Sequence, residues 1–175
     1  MPKSATLLVI RHAEKSGDPD DAGLTPAGQA RSHAYVAYFQ TLRLGSQAID
    51  APTRLVAAAD APDSRRSRLT LEPLAAALGL EVDASVSDEH TGRLVKQLRG
   101  DARYDECTTL VCWTHKHLPA LVEGLGAPES LLHGTWPEDI FGWLVQLEYD
   151  DGGALSRATR HDQQLMFGDC RASAG

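Results

Sequence analysis

The stretch Leu7–Lys15, which reads LLVIRHAEK, decides the fold. Its four consecutive apolar residues, Leu7–Ile10, are typical of a strand that is buried on both faces, as strands of parallel sheets are. Arg11 and His12 follow at once. In parallel sheets covered by helices, ligands bind beyond the carboxyl ends of the strands. The stretch therefore predicts a buried strand that ends at a functional site.

Strands and helices alternate along the residues that follow. Apolar runs predict strands over residues 54–59, 80–86 and 108–113. A helix is predicted to open at Thr25-Pro26, and its recurring apolar residues are Ala30, Ala34, Ala37, Tyr38 and Leu42. This helix and three later ones are expected to end near glycines, at Gly45, Gly79, Gly100 and Gly126. Pro73, inside the second helix, predicts either a kink or a later start of that helix.

The last part of the chain changes its pattern. Apolar residues occupy every second position over 141–149, which predicts a strand with one buried face. Asp150–Gly153 is a hairpin turn signal, and a last strand is expected over residues 154–161. We therefore expect an α/β fold of three layers, with helices on both sides of a mostly parallel central sheet and an antiparallel hairpin at its edge.

Composition limits the possible functions. The chain has 175 residues, which predicts a single domain over 1–175. Its 24 acidic residues outnumber its 17 basic ones, so a basic surface for nucleic acid is absent and any anion site must be a local positive pocket. The N-terminal apolar run is too short for a signal peptide or a membrane span, so a cytoplasmic protein is expected. Cys107, Cys112 and Cys170 include no C-x-x-C pair and are expected to be free thiols.

Basic side chains follow three of the predicted strands. They are Arg11, His12 and Lys15 after the first, Arg65, Arg66 and Arg68 after the second, and His115, Lys116 and His117 after the fourth. An arginine fork matches the geometry of a phosphate, and a histidine ring nitrogen can attack phosphorus. The helix that opens near Pro119 adds its positive end beside His115. The pattern indicates a site for phosphoryl chemistry.

Four segments, in this order, resemble the histidine phosphatase superfamily, which has the phosphoglycerate-mutase-like fold. They are RHAEK at 11–15, LTPAGQAR at 24–31, SRRSRLTLEPLA at 64–75 and VCWTHKHLPAL at 111–121. The resemblance implies hydrolysis of a phosphate ester or phosphoramidate through a phosphohistidine, with no metal and no organic cofactor. It implies a small phosphorylated substrate or a phosphoprotein as partner, while the charge balance and the short apolar run predict no nucleic acid and no membrane.

The resemblance also implies the roles of four residues. His12 corresponds to the histidine that takes the phosphoryl group, and Arg11 to the neighbouring phosphate clamp. His115 corresponds to the second histidine, which stabilises the transferred group. Arg66 corresponds to the second clamp arginine, because the family pattern is R-x-x-x-T and Thr70 stands four residues later. Arg65 is the competing register, and it would lie about 100° away around the helix.

The general acid and the rim of the site are less sharply defined. The family often has a glutamate between the second arginine and the second histidine, and we choose Glu89 there. Asp88, Glu14 and Asp139 are alternatives, and some short relatives have no dedicated acid. Residues expected to contact substrate at the rim are Lys15, Arg65, Lys116 and His117. A metal held by His115 and His117 lacks further ligand motifs and is not expected.

Three other functions stay open beside the hydrolase. A phosphohistidine protein phosphatase fits the short chain, and a shallow groove would favour it. An inactive anion-binding module would conflict with the presence of His12, Arg11, Arg66 and His115. A mutase is less expected, because it must retain its product between transfers. Residues 129–139 are expected to shape substrate choice.

Overall fold

A six-stranded sheet forms the centre of the computed structural model, which describes residues 1–18 and 20–169. The strands in these residues are β1 (Ala5–Arg11), β2 (Arg43–Leu44), β3 (Gln47–Ala48), β4 (Arg54–Ala58), β5 (Val82–Val86), β6 (Thr108–Trp113), β7 (Trp143–Tyr149) and β8 (Leu155–Asp162). The helices are α1 (Pro26–Gln40), α2 (Arg66–Leu78), α3 (Thr91–Gly100) and α4 (Leu118–Gly124), with short 3-10 turns at Ala102–Tyr104 and Glu129–Leu131.

The order of the strands in the sheet is β5-β4-β6-β1-β7-β8. The first four are mutually parallel, whereas β7 runs antiparallel to both β1 and β8. The expected mostly parallel sheet with an antiparallel edge hairpin is therefore confirmed. A separate hairpin of β2 and β3 was not predicted.

Helices cover both faces of the sheet. Along β1, Leu8 and Ile10 pack with the apolar residues of α1 and α2, while Leu7 and Val9 pack with those of α3 and α4. All four β1 residues are fully buried, as the continuous apolar run indicated. The three-layer arrangement is confirmed.

Two neighbouring strands bring candidate site residues to one edge of the sheet. β1 and β6 are parallel and in register, with Arg11 opposite Trp113. The backbone N–H of His12 donates to the carbonyl of Trp113 over 3.0 Å. Because His115 comes two residues after Trp113, the two histidines emerge side by side.

Three details of the helices differ from expectation. The buried face of α1 is formed by Gly28, Arg31, Ser32, Tyr35 and Phe39 rather than by the alanine series, because Tyr35 and Phe39 supply most apolar surface. Gly45 is not the end of that helix, which stops at Gln40; its φ of 62° forms the turn between β2 and β3. A later start at Pro73 is wrong, because α2 begins at Arg66, continues through the proline to Leu78 and is capped by Gly79.

The part of the chain that the structure describes contains two of the three cysteines. Cys112 is buried and Cys107 half-buried, and both are free thiols; Cys170 lies outside the described residues. None of the helices described is long and apolar enough to cross a bilayer. The cytoplasmic location stays a prediction.

Candidate active site

His12 lies directly beyond the end of β1 and is 3% exposed. Its Nδ1 is 2.8 Å from the carbonyl oxygen of Ala13. Because a carbonyl can only accept, Nδ1 carries the ring proton and Nε2 keeps its lone pair. Burial, and then the charges of Arg11, Arg66 and His115, lower the pKa of His12 to about 3, although the Ala13 carbonyl opposes this. The imidazole is therefore neutral near pH 7, as a nucleophile must be.

Thr70 connects the nucleophile segment to α2. Its Oγ1 accepts from the backbone N–H of Ala13 over 2.9 Å and donates to the carbonyl of Arg66 over 2.7 Å. The side chain is fully buried. The hydroxyl therefore spans one helical turn to the backbone of Arg66 and also holds the segment that follows β1, which gives a physical reason for a hydroxyl residue four positions after Arg66.

Arg11 is completely buried, and only part of its guanidinium is satisfied. Its Nη1 donates to the carbonyls of Glu138 and Ile140, and the group lies 3.8 Å from the ring centroid of Phe141. Nε and Nη2 are buried and have no hydrogen-bond partner among the residues that the structure describes. Burial lowers the pKa of Arg11 to about 10 against the opposing charges of nearby carboxylates, so the cation persists at pH 7. Burying two donors without acceptors costs free energy. Their arrangement on one edge of the guanidinium matches the two parallel hydrogen bonds that a phosphate accepts.

Arg66 begins α2 and is half-buried. Its Nε donates to the carbonyl of Gly23 over 3.0 Å, and Nη2 donates to that of Asp21. Its charge is close enough to contribute to the low pKa of His12, after burial and Arg11. Arg65 is exposed and is held through its backbone N–H, which donates to the carbonyl of Ala22 over 2.9 Å. This geometry supports the register with Arg66, whose role stays a prediction.

His115 lies beyond the end of β6 and is half-buried. Its Nδ1 is buried, and no group in residues 1–18 or 20–169 forms a hydrogen bond with it. Burial and then the charge of Arg11 lower the pKa of His115 to about 4. A doubly negative phosphate beside it would oppose this effect and favour the protonated ring. His115 is thus suited to neutralise a transferred phosphoryl group once that group is bound.

The candidate acids occupy different surroundings. Glu14 is bound by Arg31, whose Nε and Nη2 donate to it over 3.0 and 2.7 Å, so its carboxylate is already used. Asp139 and Glu89 are exposed. Asp88 is half-buried and accepts from the hydroxyl of Thr114 over 3.1 Å, one residue before His115. Among the four candidates, the geometry favours Asp88 over our choice of Glu89.

Two cavities adjoin the N-terminus of α2 and contain most of the predicted rim. One, about 370 Å³ in volume, is lined by Arg66 and Lys15. The other, about 270 Å³, is lined by Asp88, Glu89, Lys116, His117 and neighbouring small residues. A larger cavity, about 640 Å³ in volume, lies near the start of β4, and its lining includes none of the predicted site residues.

Glu138 is a residue of the site that the sequence did not single out. Its carboxylate pairs with Lys15 over 3.0 Å, while its backbone carbonyl accepts from Arg11. The only signal was its position within 129–139, the segment expected to shape substrate choice. Among residues 1–18 and 20–169, no three His, Cys, Asp or Glu side chains are grouped to hold a metal ion. Hydrolysis without a metal stays a prediction.

Comparison with known proteins places this geometry in a known architecture. No protein-family model matches the chain, and no curated protein sequence does. Among solved structures, the protein histidine phosphatase SixA complexed with tungstate is 17% identical, with a TM-score of 0.55 over 88% of this chain and 96% of that one. An alpha-ribazole phosphatase from Shigella flexneri is 14% identical, with a TM-score of 0.58 over 90% and 96% of the two chains.

A third solved structure agrees with these two. A phosphoserine phosphatase variant from Entamoeba histolytica, in complex with phosphoserine, is 12% identical, with a TM-score of 0.58 over 92% and 98% of the chains. The chain has the histidine phosphatase fold. This confirms the architecture expected from the four segments. At these identities the histidine phosphatase fold is what the chains share, and the roles of individual residues depend on the geometry above.

Proposed function

We propose that the protein is a phosphohydrolase that transfers the phosphoryl group of its substrate to His12 and then to water. The observation that carries the proposal is a buried neutral imidazole with a free Nε2 beside the unpartnered edge of Arg11. A free cationic fork next to a nucleophile is what a phosphoryl group requires. The tungstate complex of SixA, a protein of the same fold, adds support, since tungstate is an oxyanion of similar shape to phosphate.

In the first step, His12 Nε2 attacks phosphorus in line with the leaving group. A bond from nitrogen to phosphorus forms as the bond to the leaving oxygen or nitrogen breaks. Arg11, Arg66 and His115 neutralise the charge on the equatorial oxygens, and this preorganised electrostatic effect is the largest contribution to catalysis. The proton stays on Nδ1, which continues to donate a hydrogen bond to the Ala13 carbonyl, so the ring accepts the phosphoryl group with its orientation unchanged.

A carboxylic acid then protonates the leaving group, and water hydrolyses the phosphohistidine. We assign the acid to Asp88, which accepts from the hydroxyl of Thr114, the residue before His115, and Glu89 is the alternative in the same cavity. The carboxylate left by the first step can take the proton of the attacking water, which restores the acid. Small phosphate monoesters and phosphoramidates are the expected substrates.

A phosphohistidine protein phosphatase is the second candidate. The chain matches 96% of the length of SixA, so the two have a similar extent. Rim residues that a protein partner could reach include Lys116, His117 and Glu89, all exposed or half-buried. A histidine-phosphorylated protein as the best substrate would favour this candidate over a small-molecule phosphatase.

The test is a panel of phosphorylated metabolites and histidine-phosphorylated proteins, with release of phosphate as the measurement. His12→Ala should abolish turnover. His33→Ala is the matched control, because His33 lies exposed on α1 and should leave the rate unchanged. Binding of phosphate without turnover of any substrate would replace the proposal with an anion-binding module.

A further inference from the structure

Arg31 lies on the buried face of α1, and its cationic side chain is only 2% exposed. It joins two carboxylates that are far apart in sequence. Nε and Nη2 donate to Glu14 over 3.0 and 2.7 Å, while Nη1 and Nη2 donate to Asp169 over 3.1 and 2.6 Å. Both edges of the guanidinium are therefore occupied by bidentate partners, the strongest arrangement that arginine makes.

The first carboxylate belongs to the nucleophile segment. Glu14 comes two residues after His12, and its carbonyl accepts from the backbone N–H of Thr25 over 3.0 Å. Gly28 lies so close that a Cβ there would be 2.5 Å from the same carbonyl oxygen. Glu14 is thus fixed by side chain and backbone. Between it and His12 stands Ala13, whose carbonyl accepts from His12 Nδ1 and so determines which ring nitrogen is free.

The second carboxylate reaches the other side of the site. Asp169 accepts from the backbone N–H groups of Leu165 and Met166 over 3.0 and 2.9 Å, which folds this segment back on itself. Its carboxylate packs on Gly142, where a Cβ would be 2.8 Å from Asp169 Cγ. Gly142 directly follows Phe141, the ring against which Arg11 lies. The buried carboxylate of Asp169 therefore supports the segment against which Arg11 packs.

We propose that Arg31 and Asp169 are positioning residues that hold His12 and Arg11 in the geometry of phosphoryl transfer. We call the three side chains Glu14, Arg31 and Asp169 the clamp, which is distinct from the phosphate-binding arginines Arg11 and Arg66. The inference rests on the proposed function, since it assigns the clamp to the same reaction. Neither Arg31 nor Asp169 touches the reacting atoms, so their effect is transmitted through Glu14 and Phe141.

The clamp predicts a specific kinetic signature. Loosening it lets the Ala13 carbonyl turn, so His12 spends time with the wrong nitrogen protonated or with Nε2 misaligned. A misplacement of about 1 Å can cost roughly 100-fold in the chemical step while leaving substrate binding little changed. We therefore expect kcat to fall, with KM close to that of the parent.

The experiment uses Asp169→Asn, which keeps the shape of the side chain and removes its charge. Arg31→Lys is the second variant, since lysine keeps the charge but cannot bind two carboxylates in a bidentate manner. It should destabilise the fold less than a substitution that removes the positive charge. Arg103→Gln is the control, because it breaks ion pairs with Asp83 and Asp101 outside the site. kcat and KM are measured with p-nitrophenyl phosphate, and thermal unfolding checks the fold.

A second readout does not depend on turnover. Nitrogen NMR of labelled histidine reports which nitrogen of His12 carries the proton and at what pH the ring titrates. We expect both clamp variants to lower kcat by about tenfold or more, with KM within about twofold, and to change the His12 signals. Arg103→Gln should leave both unchanged.

Two results would overturn the inference. Variants that melt earlier but retain the parental kcat and His12 signals would make the clamp a purely structural element. A rise in KM with unchanged kcat would make it part of substrate binding. Failure of the proposed function is distinguishable from both, because it appears as undiminished turnover in His12→Ala, whereas the NMR signals test the clamp in any case.

Discussion

Replacing Arg66 by alanine is expected to slow turnover by roughly 100- to 1,000-fold. One charge-assisted contact to a reacting group in a water-poor site contributes about 2.7–4 kcal/mol to transition-state stabilisation. Arg66 fits this range, because the carbonyls of Gly23 and Asp21 hold its guanidinium in place before substrate arrives. Arg66→Lys should show a smaller but clear loss, since an ammonium cannot reproduce two parallel hydrogen bonds.

Arg65→Ala is the matched control at the neighbouring position. Arg65 is exposed and keeps its contact with Ala22 through the backbone, which the substitution does not change. Its charge acts on an anionic substrate only through long-range attraction, so we expect a loss of less than about tenfold that disappears at high salt.

The assay is kcat/KM for phosphate release by the three variants and the parent, with thermal unfolding to check that each is folded. The reasoning fails if Arg65→Ala is the crippled variant and Arg66→Ala turns over at nearly the parental rate. That result would shift the register by one residue and make Arg65 the second phosphate-binding arginine.

Three further predictions concern acid, metal and proton transfer. Burial lowers the pKa of His12 to about 3, so the unfolded chain binds the extra proton between pH 6.5 and 3, and stability falls as the pH falls through that window. At pH 5 the loss in the free energy of unfolding that is due to His12 amounts to about 2 kcal/mol. Denaturant titrations of His12→Gln should lack this loss, and an equal loss in both proteins would contradict the low pKa of His12. Turnover should survive EDTA, and complete loss restored by one divalent ion would indicate a metallophosphatase. Asp88→Asn should lower kcat roughly 100-fold for substrates with poor leaving groups, with Glu89→Gln near parental, and the reverse order would return the acid to Glu89.

Much of the fold could be predicted because the strands carry strong local signals. The run Leu7–Ile10 is apolar without interruption, which is what burial between two helical layers requires. Its termination at Arg11 and His12 indicated where to place the candidate site, since the carboxyl ends of parallel strands share an edge. Thr70 was tied to Arg66 by the family pattern, and the structure supplies the hydrogen bonds that explain the spacing.

The parts that escaped prediction depend on contacts distant in sequence. Arg31 is charged and so was not expected on the buried face of α1, where it lies because Glu14 and Asp169 both neutralise it. Glu138 carries no motif, and only folding brings its backbone to Arg11. Apolar periodicity predicts one helix or strand at a time. It carries no information about pairs that are more than one hundred residues apart in sequence, such as Arg31 and Asp169.

The most direct test of the central claim is to trap the phosphorylated enzyme. The protein is mixed with a radiolabelled substrate, quenched in alkali, digested and mapped by mass spectrometry. The account predicts one phosphohistidine, at His12, stable in alkali and lost in acid, and absent from His12→Ala. Label on another residue, or turnover in His12→Ala at the parental rate, would contradict it.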